Sequence, residues 1–180
     1  MEQEFELKLT LKIREAKPDD AQWLHDYCFS TLPRKEVEEE LSSDIEKMGK
    51  GEVHRLVAVA GDYTIGNIRL EFNKYGDPEL AQIEELAVAP PFRGLDVADK
   101  LMECISDVAR EKGVKTLQVQ PQRSESRVVN YYKKQGFTEP PYVTLYKQLE
   151  EAGVEETEEI EEESASKQEG EQQLLVGDEQ

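Results

Sequence analysis

The 180-residue chain sets 40 Asp and Glu against 22 Lys and Arg, a formal net charge of -18, with length for one domain and an appendage. Such a charge repels the phosphate backbone that supplies most nucleic-acid affinity, and no basic block relieves it, which argues against DNA or RNA as a partner. The longest apolar runs, such as Leu56-Val57-Ala58-Val59-Ala60, fall far short of the ~20 residues of a spanning helix, and Met1-Glu2-Gln3-Glu4 lacks a basic leader, so a cytoplasmic protein with no membrane contact is expected.

Along the chain, residues 7–13 alternate apolar and polar with the period of a half-buried strand. Pro18-Asp19-Asp20 then offers a proline suited to a first helical turn and carboxylates suited to a helix amino terminus, ahead of Trp23, Leu24, Tyr27 and Cys28 on one apolar face. Residues 34–48 predict a second amphipathic helix carrying Val37, Leu41, Ile45 and Met48, stopped by Gly49 and Gly51. Residues 55–60 and 63–72 read as an antiparallel hairpin about Gly61-Asp62. Residues 80–89 form a long apolar strand interrupted by Glu84-Glu85 and ended by Pro90-Pro91. A helix over 97–109, a strand over 114–119, a helix over 124–135 and a last strand over 142–149 complete the domain.

This order is a mixed α/β arrangement in which the helix after Ala89 links two parallel neighbouring strands, bringing strand ends and a helix amino terminus together where anions bind. Residues 83–102 hold the most informative stretch, a strand, a Pro/Gly turn and a helix whose first amides lack internal acceptors. The plain alternative is an ordinary turn in which Asp96 caps the helix and Asp99 supports it in a capping box.

Arg93-Gly94-Leu95-Asp96-Val97-Ala98 resembles motif A of the Gcn5-related N-acetyltransferase (GNAT) superfamily, an (Arg/Gln)-x-x-Gly-x-(Gly/Ala) loop, matching at Arg93 and Ala98. Asn130-Tyr131-Tyr132-Lys133-Lys134-Gln135-Gly136-Phe137 resembles the close of the family's last helix, matching at Tyr132, Gly136 and Phe137. The resemblance covers roughly residues 9–149 and implies a GNAT-like mixed central sheet with flanking helices, here residues 1–149, followed by a disordered acidic tail over 150–180. It implies transfer of an acetyl group from acetyl-CoA, the acyl donor substrate, directly to a primary amine. In the family, acetyl-CoA lies between splayed fourth and fifth strands. By position its pantetheine amides then meet the backbone of Leu86 and Val88, and its pyrophosphate meets Arg93, Gly94, Leu95, Asp96, Val97 and Ala98.

The resemblance assigns Tyr132 as the acid toward the departing thiolate, with Tyr131 as the alternative one residue out of register. Glu84 resembles the family's fourth-strand carboxylate that receives the amine proton. It shares a face with Leu86 and Val88 in an unbroken strand, whereas a bulge makes Glu85 the candidate. Three departures stand out. Asp96 replaces the loop glycine, raising the cost of a positive φ and placing a carboxylate near two phosphates. Gln120 falls where some members carry a fifth-strand glutamate base. Few residues separate Phe137 from Tyr142, which leaves the acceptor side open and favours a bulky or polypeptide amine.

Other features read as structural. Cys104 and Cys28 belong to apolar faces, no metal spacing is present, His25 is a helix-surface residue, and Glu38-Glu39-Glu40 with Glu46 form a solvated helix face. That face borders the family's acceptor site, so a cationic acceptor is expected. Residues 151–180 hold 12 acids and one lysine, an acidic tail in which Leu174-Leu175-Val176 offers a contact segment for a protein partner. The rival expectation is a degenerate GNAT-like domain, ended as an enzyme by Asp96, that acts as a protein-interaction or CoA-sensing module.

Overall fold

The computed structural model describes residues 10–141 together with Leu145 and Lys147. The strand expected over 142–149, apart from those two residues, and the tail over 150–180 lie outside the described residues. All elements below belong to one compact unit ending at Phe137.

Five strands form a single sheet in the order of the chain. β1 (Leu11–Glu15) runs antiparallel to β2 (Val53–Ala60), with Ile13 opposite Ala58. The β2–β3 hairpin turns at Gly61-Asp62, Ala60 facing Tyr63, and β3 (Tyr63–Glu71) continues antiparallel into β4 (Leu80–Val88). β5 (Thr116–Gln118) is parallel to β4, as the helical crossover between them demands.

Between β1 and β2 lie a 3₁₀ turn at Pro18–Asp20, α1 (Ala21–Tyr27) and α2 (Arg34–Lys50). Asp20 does not cap α1 through its side chain. Its carboxylate turns back to a bidentate pair with Arg14 at 2.7 and 2.8 Å, the Thr64 hydroxyl at 2.5 Å and the Lys17 amide at 2.8 Å. Burial opposes its charge, yet those donors together hold its pKa below the usual carboxylate range. Gly51, in the left-handed region at φ 74°, ends α2 by turning its amide onto the Lys47 and Met48 carbonyls.

α3 (Val97–Glu111) crosses over from β4 to β5, and α4 (Ser126–Lys134) follows. β5 is shorter than expected because the Val114 amide closes the end of α3 on the Ala109 carbonyl instead of joining the sheet. Two cores result. Leu24, Val37, Leu41, Val57 and Val59 bury α1 and α2 on one face, while Leu56, Ile68, Leu70, Ile83, Leu101, Ile105 and Tyr132 bury α3 and α4 on the other. Each fully buried aliphatic side chain contributes roughly 1.5–3 kcal/mol of transfer free energy. α3 seats closely because β3 has no side chain at Gly66, where a Cβ would lie 3.2 Å from Leu101 Cδ1 and 3.3 Å from the Ala87 carbonyl. Among the described residues no helix is long and apolar enough to cross a membrane.

Candidate active site

The site starts from an irregularity in β4. Arg69 pairs with Glu84 and Asn67 with Ala87, so the single residue Ile68 faces two residues, Glu85 and Leu86. This is a bulge, and Glu85 occupies the left-handed region at φ 51°. The extra residue reverses the alternation. Glu84 reaches back toward Gln82, whose Nε2 donates to its Oε1 at 3.0 Å, and Glu85 points to the same face toward Arg55. Leu86 and Val88 pack into the opposite core with α3. The face-sharing of Glu84 with Leu86 and Val88 expected of an unbroken strand is therefore corrected, and the bulge brings both glutamates to the α2 side.

Two buried arginines receive them. Arg55 of β2 donates to Asn67 Oδ1 at 2.8 Å, to Asp44 Oδ2 at 2.7 Å and to Glu85. Arg69 of β3 donates to both Asp44 oxygens at 3.0 and 3.1 Å and to Glu84. Asp44, on α2 and 1 % exposed, thus bridges the two guanidiniums from above the sheet. Asn67 locks the bulge itself, its Nδ2 donating to the Glu85 carbonyl at 2.8 Å. Burial opposes the charge of Arg69, yet Asp44 and the two glutamates raise its pKa.

One turn before Asp44 on α2, Glu40 lies near enough to Glu85 for the two carboxyls to bear on each other's charge. Burial first, then the contact with Glu40, pushes Glu85 up to about 8, against the pull of Arg55. Glu40 moves the other way, held below the usual range by that contact and the nearby cations. Asp44, Arg55, Asn67 and Arg69 were not picked out from sequence, and Glu40 only as one of the Glu38-Glu39-Glu40 run on the helix face bordering the expected acceptor site. Asp44 falls on the apolar stripe of α2 beside Leu41 and Ile45, and two arginines stand in apolar strand runs, which is the signal that could have exposed them.

Beyond Gln82, β4 loses its parallel partner, since β5 pairs only with Leu80, Ala81 and Gln82. The β4 strand continues to Val88 and passes through a 3₁₀ turn at Pro90–Phe92 into the loop before α3. Arg93 Nε donates to the Val88 carbonyl at 3.0 Å, tying the loop to the strand end. Gly94 and Asp96 both take the left-handed conformation, at φ 85° and 56°. Asp96 makes no side-chain cap on α3, and Asp99 accepts Gln135 Nε2 at 2.7 Å, so the capping box expected of this pair does not form. The first amides of α3, at Val97, Ala98 and Asp99, are those a helix leaves without internal acceptors. Strand edge, loop and helix terminus form one continuous surface of backbone groups suited to an amide-bearing, phosphate-bearing ligand.

Tyr132 is 7 % exposed, stacked edge-on to Phe137 at 5.4 Å, and burial pushes its phenol up to about 12. The Tyr131 hydroxyl is buried with Asp99 beside it but out of hydrogen-bond geometry; burial and then the Asp99 charge push its pKa up. Gln120 lies two residues past the end of β5 rather than within it, its Nε2 donating to the Tyr75 hydroxyl at 3.2 Å. Cys28 follows the end of α1 and packs against that core, where burial pushes its thiol up to about 11. A groove of about 550 Å³, lined in part by Pro18, Trp23, Arg34 and Glu38, contains none of the candidate residues.

The fold finds its counterpart in known proteins. No match occurs among curated proteins. Among solved structures, the aminoglycoside N-acetyltransferase AAC(6')-Iy in complex with CoA aligns with a TM-score of 0.68 and 15% identity, over 79% of this chain and 97% of that one. An acetyltransferase from Trypanosoma brucei aligns with a TM-score of 0.59 and 17% identity, over 77% and 100% of the two chains. The PaiA N-acetyltransferase of Thermoplasma acidophilum in complex with coenzyme A aligns with a TM-score of 0.58 and 16% identity, over 72% and 90%. At such identities these likenesses establish the fold. The sequence profile described as the acetyltransferase (GNAT) family matches residues 19–137, and the chain belongs to that family.

Proposed function

We propose that the protein transfers an acetyl group from acetyl-CoA to a primary amine carried by a cationic acceptor. The observation that carries this reading is the β4 edge beyond Gln82, released by β5 and running straight into the amide-rich start of α3. In this reading the backbone of Leu86 and Val88 pairs with the pantetheine amides. The amides of Gly94, Leu95, Asp96, Val97 and Ala98, with Arg93 beside them, receive the pyrophosphate. CoA complexes of two structural neighbours support the same donor.

The chemistry then needs one base and one acid. An acceptor amine arrives as an ammonium and must shed a proton before its lone pair can attack the thioester carbonyl. Glu85 suits that step because burial raises its pKa to about 8 against its one ion-pair partner Arg55, while Glu84, on the same side, is held by Arg69, Gln82 and Lys74 and serves to fix the strand. The departing thiolate needs a proton donor, and Tyr132, with its phenol up at about 12, keeps its proton at neutral pH. The four carboxylates facing α2 and β4 outnumber the two guanidiniums among them, which favours a cationic acceptor.

Thermal unfolding with millimolar acetyl-CoA, and with ATP as control, tests the donor. Ligand at 100 times its dissociation constant adds about 2.7 kcal/mol, several degrees for a domain of this size. Thiol release with a panel of amines tests transfer. The Asp96 carboxylate favours a second reading, a CoA-binding or protein-binding module without transfer; stabilisation by acetyl-CoA with no thiol release for any amine would support it.

A further inference from the structure

We propose that Gln82 of β4 is a specificity-determining residue of the acceptor site, its side-chain oxygen receiving an uncharged N–H donor that the acceptor carries at a distance from its reacting amine. This rests on the transferase reading above and adds to it a requirement on the far end of the substrate.

Gln82 is 8 % exposed, and its Oε1, closed off from solvent, accepts from no group of the protein. Turning the amide round does not mend this, because its Nε2 donates to Glu84 Oε1 at 3.0 Å and an ionised carboxylate offers only acceptors. A buried oxygen in this state is costly, and native proteins pair nearly all such groups, so a donor from outside the chain is called for.

The surroundings select the donor. Ala81, Ile83, Leu117 and Val119 pack into the α3 core, so the alternate positions of β4 before the bulge, and of β5 and its extension, face the other way. Gln82 stands on that side between its register partners, Glu71 of β3 and Gln118 of β5. α1 and α2 pack over β3 and β2, whereas this part of the sheet is roofed by the turn between β3 and β4. From that turn Lys74 Nζ lies 3.2 Å from Glu71 and 3.6 Å from Glu84, and the Tyr75 hydroxyl accepts from Gln120 at 3.2 Å. Tyr75 is 74 % exposed, and side chains on such a surface turn change rotamer within nanoseconds, which opens the way to the oxygen. The charges around Gln82 close among themselves, Glu71 and Glu84 against Arg69 and Lys74. An amide N–H therefore suits the oxygen better than a second ammonium. Along β4 the step from Gln82 to Glu85 is about 10 Å at ~3.3 Å per residue, and somewhat less through the bulge, which sets the spacing between the acceptor's donor and its reacting nitrogen.

The test offers the full chain acetyl-CoA and three amines of that reach: 6-aminohexanamide, its N-methyl amide and its N,N-dimethyl amide, of which only the last lacks an amide N–H. We expect kcat/KM for thiol release to be similar for the first two and to fall by about tenfold to a hundredfold at the third, chiefly through KM. In Gln82→Met, of similar length without the amide, that break should shrink to about twofold or less, with the thermal midpoint level or raised because the orphaned oxygen is gone. An even series in the wild type, or a break that survives in Gln82→Met, would overturn the assignment and leave the transferase reading standing. A merely structural amide would lower the midpoint of Gln82→Met by several degrees and leave the series even. Preference for hexane-1,6-diamine over the amides would overturn the uncharged donor. Absence of thiol release with every amine would overturn the transferase reading and the assignment together. The wild-type series decides by itself if the variant does not fold.

Discussion

Asp44 Oδ2 accepts a hydrogen bond from Arg55 Nη1 at 2.7 Å, with the two side chains only 1 % and 3 % exposed. The bond joins the middle of α2 to the second strand through the protein interior, and the same carboxylate also holds Arg69. Replacing Asp44 by Asn leaves two buried guanidiniums facing a neutral group. Loss of one partner of a buried ion pair costs about 3–5 kcal/mol. Urea unfolding of Asp44→Asn should show a loss of that order; a change below about 1 kcal/mol would mean that water replaces the carboxylate.

Asp20 gives a pH-dependent counterpart. Its folded pKa lies below the usual carboxylate value, so its contribution to stability is fully present above that value and is lost as pH falls through the folded one. Asp20→Asn should therefore destabilise the protein at pH 7, and the gap to wild type should close as the pH approaches about 2–3, below the ordinary carboxylate range. Chemical denaturation at several pH values measures the gap, and a constant difference would contradict the assignment.

Asp96 holds a left-handed backbone conformation without a side-chain cap to compensate. Asp96→Gly should relieve strain of roughly 1 kcal/mol and remove a carboxylate from the proposed pyrophosphate loop. Both stability and CoA affinity should rise, with calorimetric titration showing a several-fold tighter Kd and turnover nearly unchanged. Weaker CoA binding in this variant would place the pyrophosphate elsewhere.

The two adjacent tyrosines should respond in opposite ways. Tyr132→Phe is expected to lower kcat by about 10²-fold or more, the scale of losing a positioned acid, with CoA affinity intact. Tyr131 buries a hydroxyl that has no hydrogen-bond partner, so Tyr131→Phe should leave stability equal or improved and turnover largely unaffected. A large kcat loss in Tyr131→Phe alone would transfer the acid role by one residue.

Much of this fold is legible in the chain because its periods are clean. The hairpin about Gly61-Asp62, the helix stop at Gly51 and the parallel crossover after Pro90-Pro91 each follow from local rules that tertiary packing did not overrule. The loop of residues 93–98 and Tyr132 are legible through the family resemblance. The charged side of the site was not. Glu40 reads as part of a solvated run, and Arg55 and Arg69 draw no reading of their own within the hairpin strands, because hydropathy treats a charge as exposed unless a partner is known. Those partners lie 11 to 30 residues away in the chain, and only the fold brings them together. The bulge is equally hidden, since the pair Glu84-Glu85 fits either register and only the pairing of Asn67 with Ala87 decides it.

The bulge gives β4 two loyalties. Before it, the odd-numbered Ala81 and Ile83 feed the core under α3; after it, the even-numbered Leu86 and Val88 do so. One inserted residue thus lets a single strand present adjacent acids to one helical layer and then return its apolar side chains to the other without a second turn of chain. Deleting Glu84 or Glu85 would restore an uninterrupted pleat that keeps Leu86 and Val88 on the α3 side and leaves only one acid on the other, whereas deleting Leu86 would turn Glu85 into the apolar core. The extra length in this short window is thus what sets two neighbouring acids side by side on one layer, while the apolar layer would survive its loss.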